Sequence, residues 1–188
     1  MSKYLEMMNR LDMTVQSPDK NIKARLTNRT QITLMFKPDT YPLYAEWTLS
    51  RQLAGLAQLL WVGRRRASLM ARREAMGDDA AMAFEDPRNP DEARYFEKRT
   101  EIEVSAISQS GRISASMTGW TRWRFEVQPR TVRELTEGRF CADAVSVFPP
   151  MLHEYQQKNA LLLDKLHRET RPEYFDHPSR RKPEPPRR

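Results

Sequence analysis

The chain has little cysteine, little glycine and no long apolar run. Among its 188 residues Cys141 is the sole cysteine, which excludes an intramolecular disulfide. No stretch approaches the roughly 18–20 apolar residues needed to cross a bilayer, and residues 1–8 lack the apolar segment of a secretory signal. These absences predict a soluble cytoplasmic protein that is not inserted in a membrane.

The sequence also lacks the motifs of familiar catalytic sites. His153, His167 and His177 have no cysteine or carboxylate at metal-ligand spacing, and the pair His153-Glu154 lacks the second histidine of an HExxH motif. The six glycines form neither a phosphate loop nor a nucleophile elbow. Cys141 lies among apolar residues, as a small core side chain would. We therefore expect no enzyme, no cofactor and no metal site.

What the sequence does contain is an internal repeat. Residues 17–38 and residues 108–129, which are 91 positions apart, align without a gap, and six of the 22 pairs are identical. The identical pairs are Ser17/Ser108, Ile22/Ile113, Ala24/Ala115, Thr27/Thr118, Thr30/Thr121 and Pro38/Pro129. Such self-similarity indicates one small module used twice.

Alternation of apolar and polar residues predicts three strands in each copy. In the first copy they are residues 14–17, 22–26 and 32–36, and in the second they are residues 102–106, 113–117 and 123–127. A period of two is typical of antiparallel strands with one face on a core. In the second copy Gly111 and Gly119 lie where the turns need a positive φ.

A helical segment is predicted after each set of strands. In the first copy it runs from Leu43 or Thr48 to Ala75, with Thr48 or Ser50 as its cap and Gly77 at its end. Its apolar residues recur with a period close to 3.6; they are Leu49, Leu53, Leu56, Leu60, Ala67 and Met70. A helix of about 28 residues spans about 40 Å. Because that exceeds one small sheet, we expect it to extend to a partner.

The second helical region is interrupted. Residues 131–147 form a helix candidate with a break near Gly138, Pro149-Pro150 breaks the chain again, and residues 151–168 form a further helix. The apolar side of that helix is predicted to hold Leu152, Tyr155, Asn159, Leu162, Leu163 and Leu166. A polar connector joins the two copies, and a short helix is expected from Asp91 onward.

The fold class predicted by these patterns is α+β. It consists of two tandem modules, each a three-stranded antiparallel meander followed by a long amphipathic helix. The first module covers residues 1–77, the connector residues 78–99 and the second module residues 100–170. Residues 171–188 are rich in proline and positive charge, and we expect them to form a disordered tail.

Residues 15–38 with 49–60, and residues 107–129, carry a family resemblance. Strands joined by a serine-containing turn, a proline after the last strand and a long helix resemble the YbaB/EbfC family of small nucleoid-associated proteins, including actinobacterial relatives from type VII secretion loci. Those proteins are homodimers, so the resemblance implies an internal pseudo-dimer, DNA binding and a place in the nucleoid. This chain departs from the family in its short leading segment 2–12, in Pro149-Pro150 and in its basic tail.

Positive charge is concentrated on the long helix and in the tail. The formal net charge is +7 and the pI about 9.7; the last twelve residues hold five basic residues and one acidic residue. Arg51, Gln58, Arg65 and Arg72 are spaced seven apart, with Arg64, Arg66 and Arg73 beside them. Such a stripe can follow a phosphate backbone. A solvated helix end, where arginines are favoured by the helix dipole, is the other interpretation of the same stripe.

A second group combines aromatic and basic residues near a turn. Trp123 shares a face with Phe125 and Val127, and is therefore predicted to be in the core. Trp120 takes the turn position of Arg29 in the first copy, and we expect it to be exposed. An exposed tryptophan beside arginines is typical of a protein–protein contact, which we favour here over the stacking of bases.

Two classes of binding function follow. The first is nucleic-acid binding, with duplex DNA as the expected ligand, through Arg51, Arg64, Arg65, Arg66, Arg72, Arg73, Arg180, Arg181 and Lys182. The alternative is a protein-interaction or type VII secretion accessory role, chaperone-like, with Trp120, Arg122 and Arg124 at the contact. A place in a larger assembly is a further possibility that the sequence leaves open.

Overall fold

The computed structural model describes residues 2–78, residue 87 and residues 89–170. The first module consists of α1 (Lys3–Asn9), β1 (Asp12–Gln16), β2 (Ile22–Thr27), β3 (Gln31–Phe36), a 3-10 turn (Tyr41–Leu43) and α2 (Glu46–Met76). The second consists of α3 (Pro90–Arg99), β4 (Glu103–Ile107), β5 (Ile113–Thr118), β6 (Arg122–Val127), α4 (Thr131–Glu134), α5 (Glu137–Ser146) and α6 (Phe148–Thr170). The predicted tail, with Arg180, Arg181 and Lys182, lies outside the described residues.

Each module contains the predicted three-stranded antiparallel sheet, with strand orders β1-β2-β3 and β4-β5-β6. The registers repeat at the 91-residue spacing, since Asp12 pairs with Thr27 in one sheet and Glu103 with Thr118 in the other. Apolar residues at alternate positions of β2 and β5 are buried, and the intervening positions of β2 are exposed. The period of two therefore predicted correctly which face meets the core.

The turns repeat as closely as the strands. The backbone amide of Ile22 donates to the hydroxyl of Ser17 at 2.9 Å, and the amide of Ile113 donates to the hydroxyl of Ser108 at 3.0 Å. Residues 20 and 28 adopt φ of 63° and 48°, and their equivalents 111 and 119 adopt 74° and 57°. The two glycines predicted for positive φ are confirmed. In the first copy Lys20 and Asn28 adopt the same conformation with a side chain present.

Helix α2 ends as predicted but begins differently. Gly77 follows its last residue with φ of 87°, a conformation that glycine adopts without strain. The first residue is Glu46, and neither Thr48 nor Ser50 caps it. The hydroxyl of Ser50 instead donates to the carbonyl of Glu46 and accepts the backbone N–H of Val127 at 3.0 Å. The cap prediction was wrong because the helix begins at Glu46, with Ala45 before it, which places Thr48 and Ser50 inside the helix.

A helix of each module packs on the sheet of the other module. Helix α2 lies along β6 of the second module, and α5 lies along β3 of the first. The backbone amide of Val132 donates to a carboxylate oxygen of Glu46 at 3.3 Å, and the hydroxyl of Tyr41 donates to the carbonyl of Leu135 at 3.1 Å. The chain is thus an internal pseudo-dimer. The long helix extends beyond its own sheet, as predicted, and the partner that it reaches is the second module.

One continuous core joins the two modules. Leu49, Leu53, Leu56 and Leu60 of α2 are buried as their period predicted, whereas Met70 is exposed. Helix α1 packs on the C-terminal half of α2, and α3 packs likewise on α6. The repeat therefore includes the leading helices, although α1 has seven residues and α3 has ten.

The second helical region differs from its prediction at three positions. The break falls at Leu135, between α4 and α5, because Thr136 caps α5 by accepting the backbone amide of Arg139. Pro149-Pro150 lies in the first turn of α6, where proline lacks an N–H that the helix does not need. Leu163 is exposed.

None of the described helices combines the length and the hydropathy that a membrane-spanning segment requires.

Candidate anion-binding site

The predicted arginine stripe is divided in the structure. Arg51, near the start of α2, is exposed, with its guanidinium 5.9 Å from the ring centre of Trp47. Arg66 and Arg73 are also exposed, and Arg73 lies 3.7 Å from the carboxylate of Asp78. Arg65 is exposed too, whereas Arg64 and Arg72 are half-buried, and all three line a cavity together with residues of the second module. A continuous line of exposed cations, as the spacing of seven suggested, is therefore not formed.

Three of the predicted arginines line one cavity of about 330 Å³, which we call the arginine cleft. It lies between α1, the C-terminal half of α2, the end of α3 and the turn between β5 and β6. Its lining residues are Tyr4, Trp61, Arg64, Arg65, Ser68, Leu69, Arg72, Phe96, Arg99, Thr100, Gly119, Trp120 and Thr121. Both modules thus contribute, Arg99 adds a fourth guanidinium, and no described residue of the lining is Asp or Glu.

Arg64 is half-buried in the cleft. Its guanidinium lies 5.8 Å from the ring centre of Trp61, and no carboxylate among the described residues forms an ion pair with it. Burial lowers the pKa of Arg64, and the like charge of Arg29 lowers it further. A guanidinium so placed gains more from a bound anion than one already paired in water.

Arg99 reaches the cleft from the second module. Its Nε donates to the hydroxyl of Tyr155 at 3.0 Å. Burial alone would lower the pKa of Arg99, but the tyrosines beside it, Tyr155 and Tyr95, raise it overall. The hydrogen bond to Tyr155 therefore holds the guanidinium of Arg99 in place at the cleft.

Tyr4 responds to the positive charge around it. Its hydroxyl lies 3.0 Å from that of Ser68, and the guanidinium of Arg72 lies 5.5 Å from its ring centre. Burial would raise the pKa of Tyr4, yet the Ser68 hydrogen bond and the charges of Arg72 and Arg64 lower it overall. Guanidinium and hydroxyl groups that converge in this way match the oxygens of a phosphate.

The wall of the cleft is aromatic. The rings of Trp61 and Trp120 stack with centroids 4.6 Å apart and planes 15° apart, and Tyr155 meets Trp120 edge-on at 4.9 Å. Trp120 is consequently half-buried, and its predicted exposure was wrong because α2 of the first module supplies a partner ring. Arg122 and Arg124 are exposed on β6. Trp123 packs against the core as predicted.

A second cavity, which we call the axial cavity, adjoins this wall. It measures about 340 Å³ and is lined largely by apolar side chains of both modules. Many of its lining residues are equivalent pairs at the 91-residue spacing, namely Arg29/Trp120, Ile32/Trp123, Ala57/Phe148, Leu60/Met151 and Trp61/Leu152. The axial cavity therefore lies on the pseudo-twofold axis, whereas the arginine cleft lies to one side of it.

Within the described part of the chain, the arginine cleft has no chemical equivalent in the other half of the pseudo-dimer. At the 91-residue spacing the positions of Arg64, Arg65 and Arg72 become Tyr155, Gln156 and Leu163. The scaffold around them is retained, because the Tyr4–Ser68 contact recurs as a hydrogen bond from Tyr95 to Asn159 at 2.9 Å. The contact between the leading helix and the long helix is thus the same in both modules, whereas these three arginines are found only on the long helix of the first.

Sequence reasoning missed Tyr4, Trp61 and Arg99. Trp61 precedes three consecutive arginines, which is the same mixture of aromatic and basic residues that singled out Trp120, so this signal was present. Tyr4 and Arg99 had no such signal. They reach the cleft only because α1 and α3 pack on the long helices.

Comparison of the chain with protein-family models, with curated proteins and with solved structures found no match in any of the three.

Proposed function

We propose that the protein binds nucleic acid, with backbone phosphates held in the arginine cleft. The observation that carries this proposal is the convergence of Arg64, Arg65, Arg72 and Arg99 on one cavity whose described lining has no acidic residue. Arginine forms short, bidentate, charge-assisted hydrogen bonds with phosphate oxygens. The YbaB-like pattern of strands and helices supports DNA as the nucleic acid.

Salt dependence is the first test of this proposal. A fluorescence-anisotropy titration of labelled DNA at about 50 mM salt is expected to show binding that weakens steeply as salt rises, because each neutralised phosphate releases condensed counterions. Absence of binding at that salt concentration would refute the proposal. A salt-independent affinity would also contradict it, since phosphate contacts would then not be the source of binding.

A matched pair of double variants locates the contact. Arg65→Gln/Arg72→Gln removes two charges from the cleft, and is expected to weaken binding by at least about tenfold and to reduce the salt slope by about 1–2. Arg133→Gln/Arg139→Gln removes two charges from exposed positions of α4 and α5 and is expected to change both quantities little. Equal losses in the two variants would show that only net charge matters.

A protein-interaction role is the second candidate, and one observation favours it. Trp47 is 65% exposed and Leu43 is 82% exposed, with Arg51 beside Trp47. Exposed tryptophan and arginine are typical of the energetic centre of an interface, so the partner contact fits this end of α2 better than it fits Trp120. Pull-downs from nuclease-treated lysate should recover a stoichiometric protein with the wild type and lose it with Trp47→Ala; unchanged recovery would argue against this surface.

A further inference from the structure

The arginine cleft and the axial cavity are neighbours that share three residues. Trp61, Arg64 and Trp120 line both. The strongly cationic arginine cleft therefore adjoins the largely apolar axial cavity along these three side chains. A ligand that reaches both must carry negative charge and an apolar group only a few bonds apart.

The lining of the axial cavity favours a flat aromatic group. Four aromatic side chains surround it, those of Trp61, Trp120, Trp123 and Phe148. The polar and charged side chains among them are Arg29, Thr30, Arg64, His153 and Gln156. Its volume of about 340 Å³ is at the lower end of the range for small-ligand sites, so it suits one ring system and is too small for a helix.

A nucleotide joins these two chemistries within one unit, since its base is planar and aromatic and its phosphate is anionic. Resting on the nucleic-acid function proposed above, we propose that the two cavities form a single site for an unpaired nucleotide, with the phosphate in the arginine cleft and the base in the axial cavity. Bases of an intact duplex are stacked on their neighbours and cannot enter. The protein then prefers single-stranded nucleic acid to fully paired duplex.

Three fluorescent probes test this with the full-length wild-type chain: a 12-nucleotide oligothymidine, a 12-unit abasic strand with the same phosphates, and a blunt 12-base-pair duplex. Loss of base stacking is expected to weaken binding of the abasic strand by about 5- to 150-fold relative to oligothymidine. The duplex is expected to bind more weakly than oligothymidine as well. These comparisons need no protein variant, so a folding defect cannot affect them.

A filling variant with a matched control assigns the effect to the axial cavity. Leu152→Trp places an indole in the cavity at the position equivalent to Trp61, and should reduce the preference for oligothymidine over the abasic strand to less than about twofold while leaving the salt slope unchanged. Leu161→Trp adds the same indole at an exposed position of α6 and should keep the full preference. Loss of the preference in both variants would overturn the assignment.

The outcomes separate this inference from the proposed function. Equal binding of oligothymidine and the abasic strand, or tighter binding of the duplex, overturns the nucleotide site and leaves phosphate binding standing. No binding of any probe at about 50 mM salt overturns both. A thermal shift caused by decanoate and absent with thymidine monophosphate would assign the axial cavity to an acyl anion, and would overturn the proposal as stated.

Discussion

Replacement of Phe140 by alanine tests whether the two modules form one cooperative unit. Phe140 belongs to α5 of the second module and is fully buried. Its ring contacts Phe36 and Tyr41 of the first module, with centroid distances of 5.8 Å and 5.3 Å. The side chain is thus a core residue of both halves, and its loss should destabilise them together.

The magnitude follows from the burial of the ring. Truncation of a buried phenylalanine to alanine costs about 3–5 kcal/mol of unfolding free energy, through lost burial and the cavity left behind. In a chain of this size each kcal/mol lowers Tm by about 2–4 °C. We therefore expect Tm of Phe140→Ala to fall by about 6–20 °C. Leu49→Ala, at the equivalent position of the first module and also fully buried, is expected to lose about 2–5 kcal/mol.

Urea unfolding followed by far-ultraviolet circular dichroism and by tryptophan fluorescence measures this effect. Trp47 lies in the first module and Trp123 in the second, while the stacked pair Trp61 and Trp120 reports on the contact between them. Both signals should show one transition at the same lowered midpoint in either variant. Two transitions in Phe140→Ala, with one at the wild-type midpoint, would mean that the modules unfold independently and would refute the shared core.

Three further predictions concern single groups. Hydrogen bonds from neighbouring hydroxyl groups lower the pKa of Asp19 despite its partial burial. Asp19→Asn should therefore be less stable than the wild type at neutral pH. Denaturant titrations should show this difference in unfolding free energy closing as pH falls below about 4, where the wild-type carboxylate becomes protonated. Burial raises the pKa of the Cys141 thiol to about 12, so iodoacetamide at pH 8 should react at least about 100-fold faster with the urea-unfolded chain than with the native one; similar rates would contradict this. Gly111→Ala should lower the free energy of unfolding by about 1–2 kcal/mol, because alanine is strained at this positive φ. Gly119→Ala should lower it clearly more, because the new Cβ would also clash with the carbonyl oxygen of Thr100. Thermal unfolding of the two variants measures the difference.

Local pattern was sufficient to predict the strands, the turns and the duplication. Alternation at Ile22, Ala24 and Leu26 is a property of neighbouring residues, and the burial of these side chains follows it. Gly111 and Gly119 similarly predict turns, because glycine adopts a positive φ without strain. The 91-residue spacing then carried these features correctly from one copy to the other.

Local sequence pattern could not predict the contacts between the modules. Ser50 looked like a helix cap, but its hydroxyl accepts the N–H of Val127, which lies 77 residues away. Trp120 looked exposed until Trp61 was placed against it. Arg99 joins the cleft because α3 packs on α6. Each of these outcomes depends on which helix lies on which sheet, and no short segment contains that information.

Under the proposed nucleic-acid function, the one-sided position of the arginine cleft has a consequence for how the protein would bind a long ligand. A symmetric homodimer carries every substitution twice and presents two identical faces, but a fused pair can alter one half alone, as Arg64 and its equivalent Tyr155 show. The described residues of one chain then form one cationic cleft, so the two faces of the pseudo-dimer differ. Copies arranged along a directional polymer would all point the same way, so that the polarity of the strand is transferred to the order of the proteins on it.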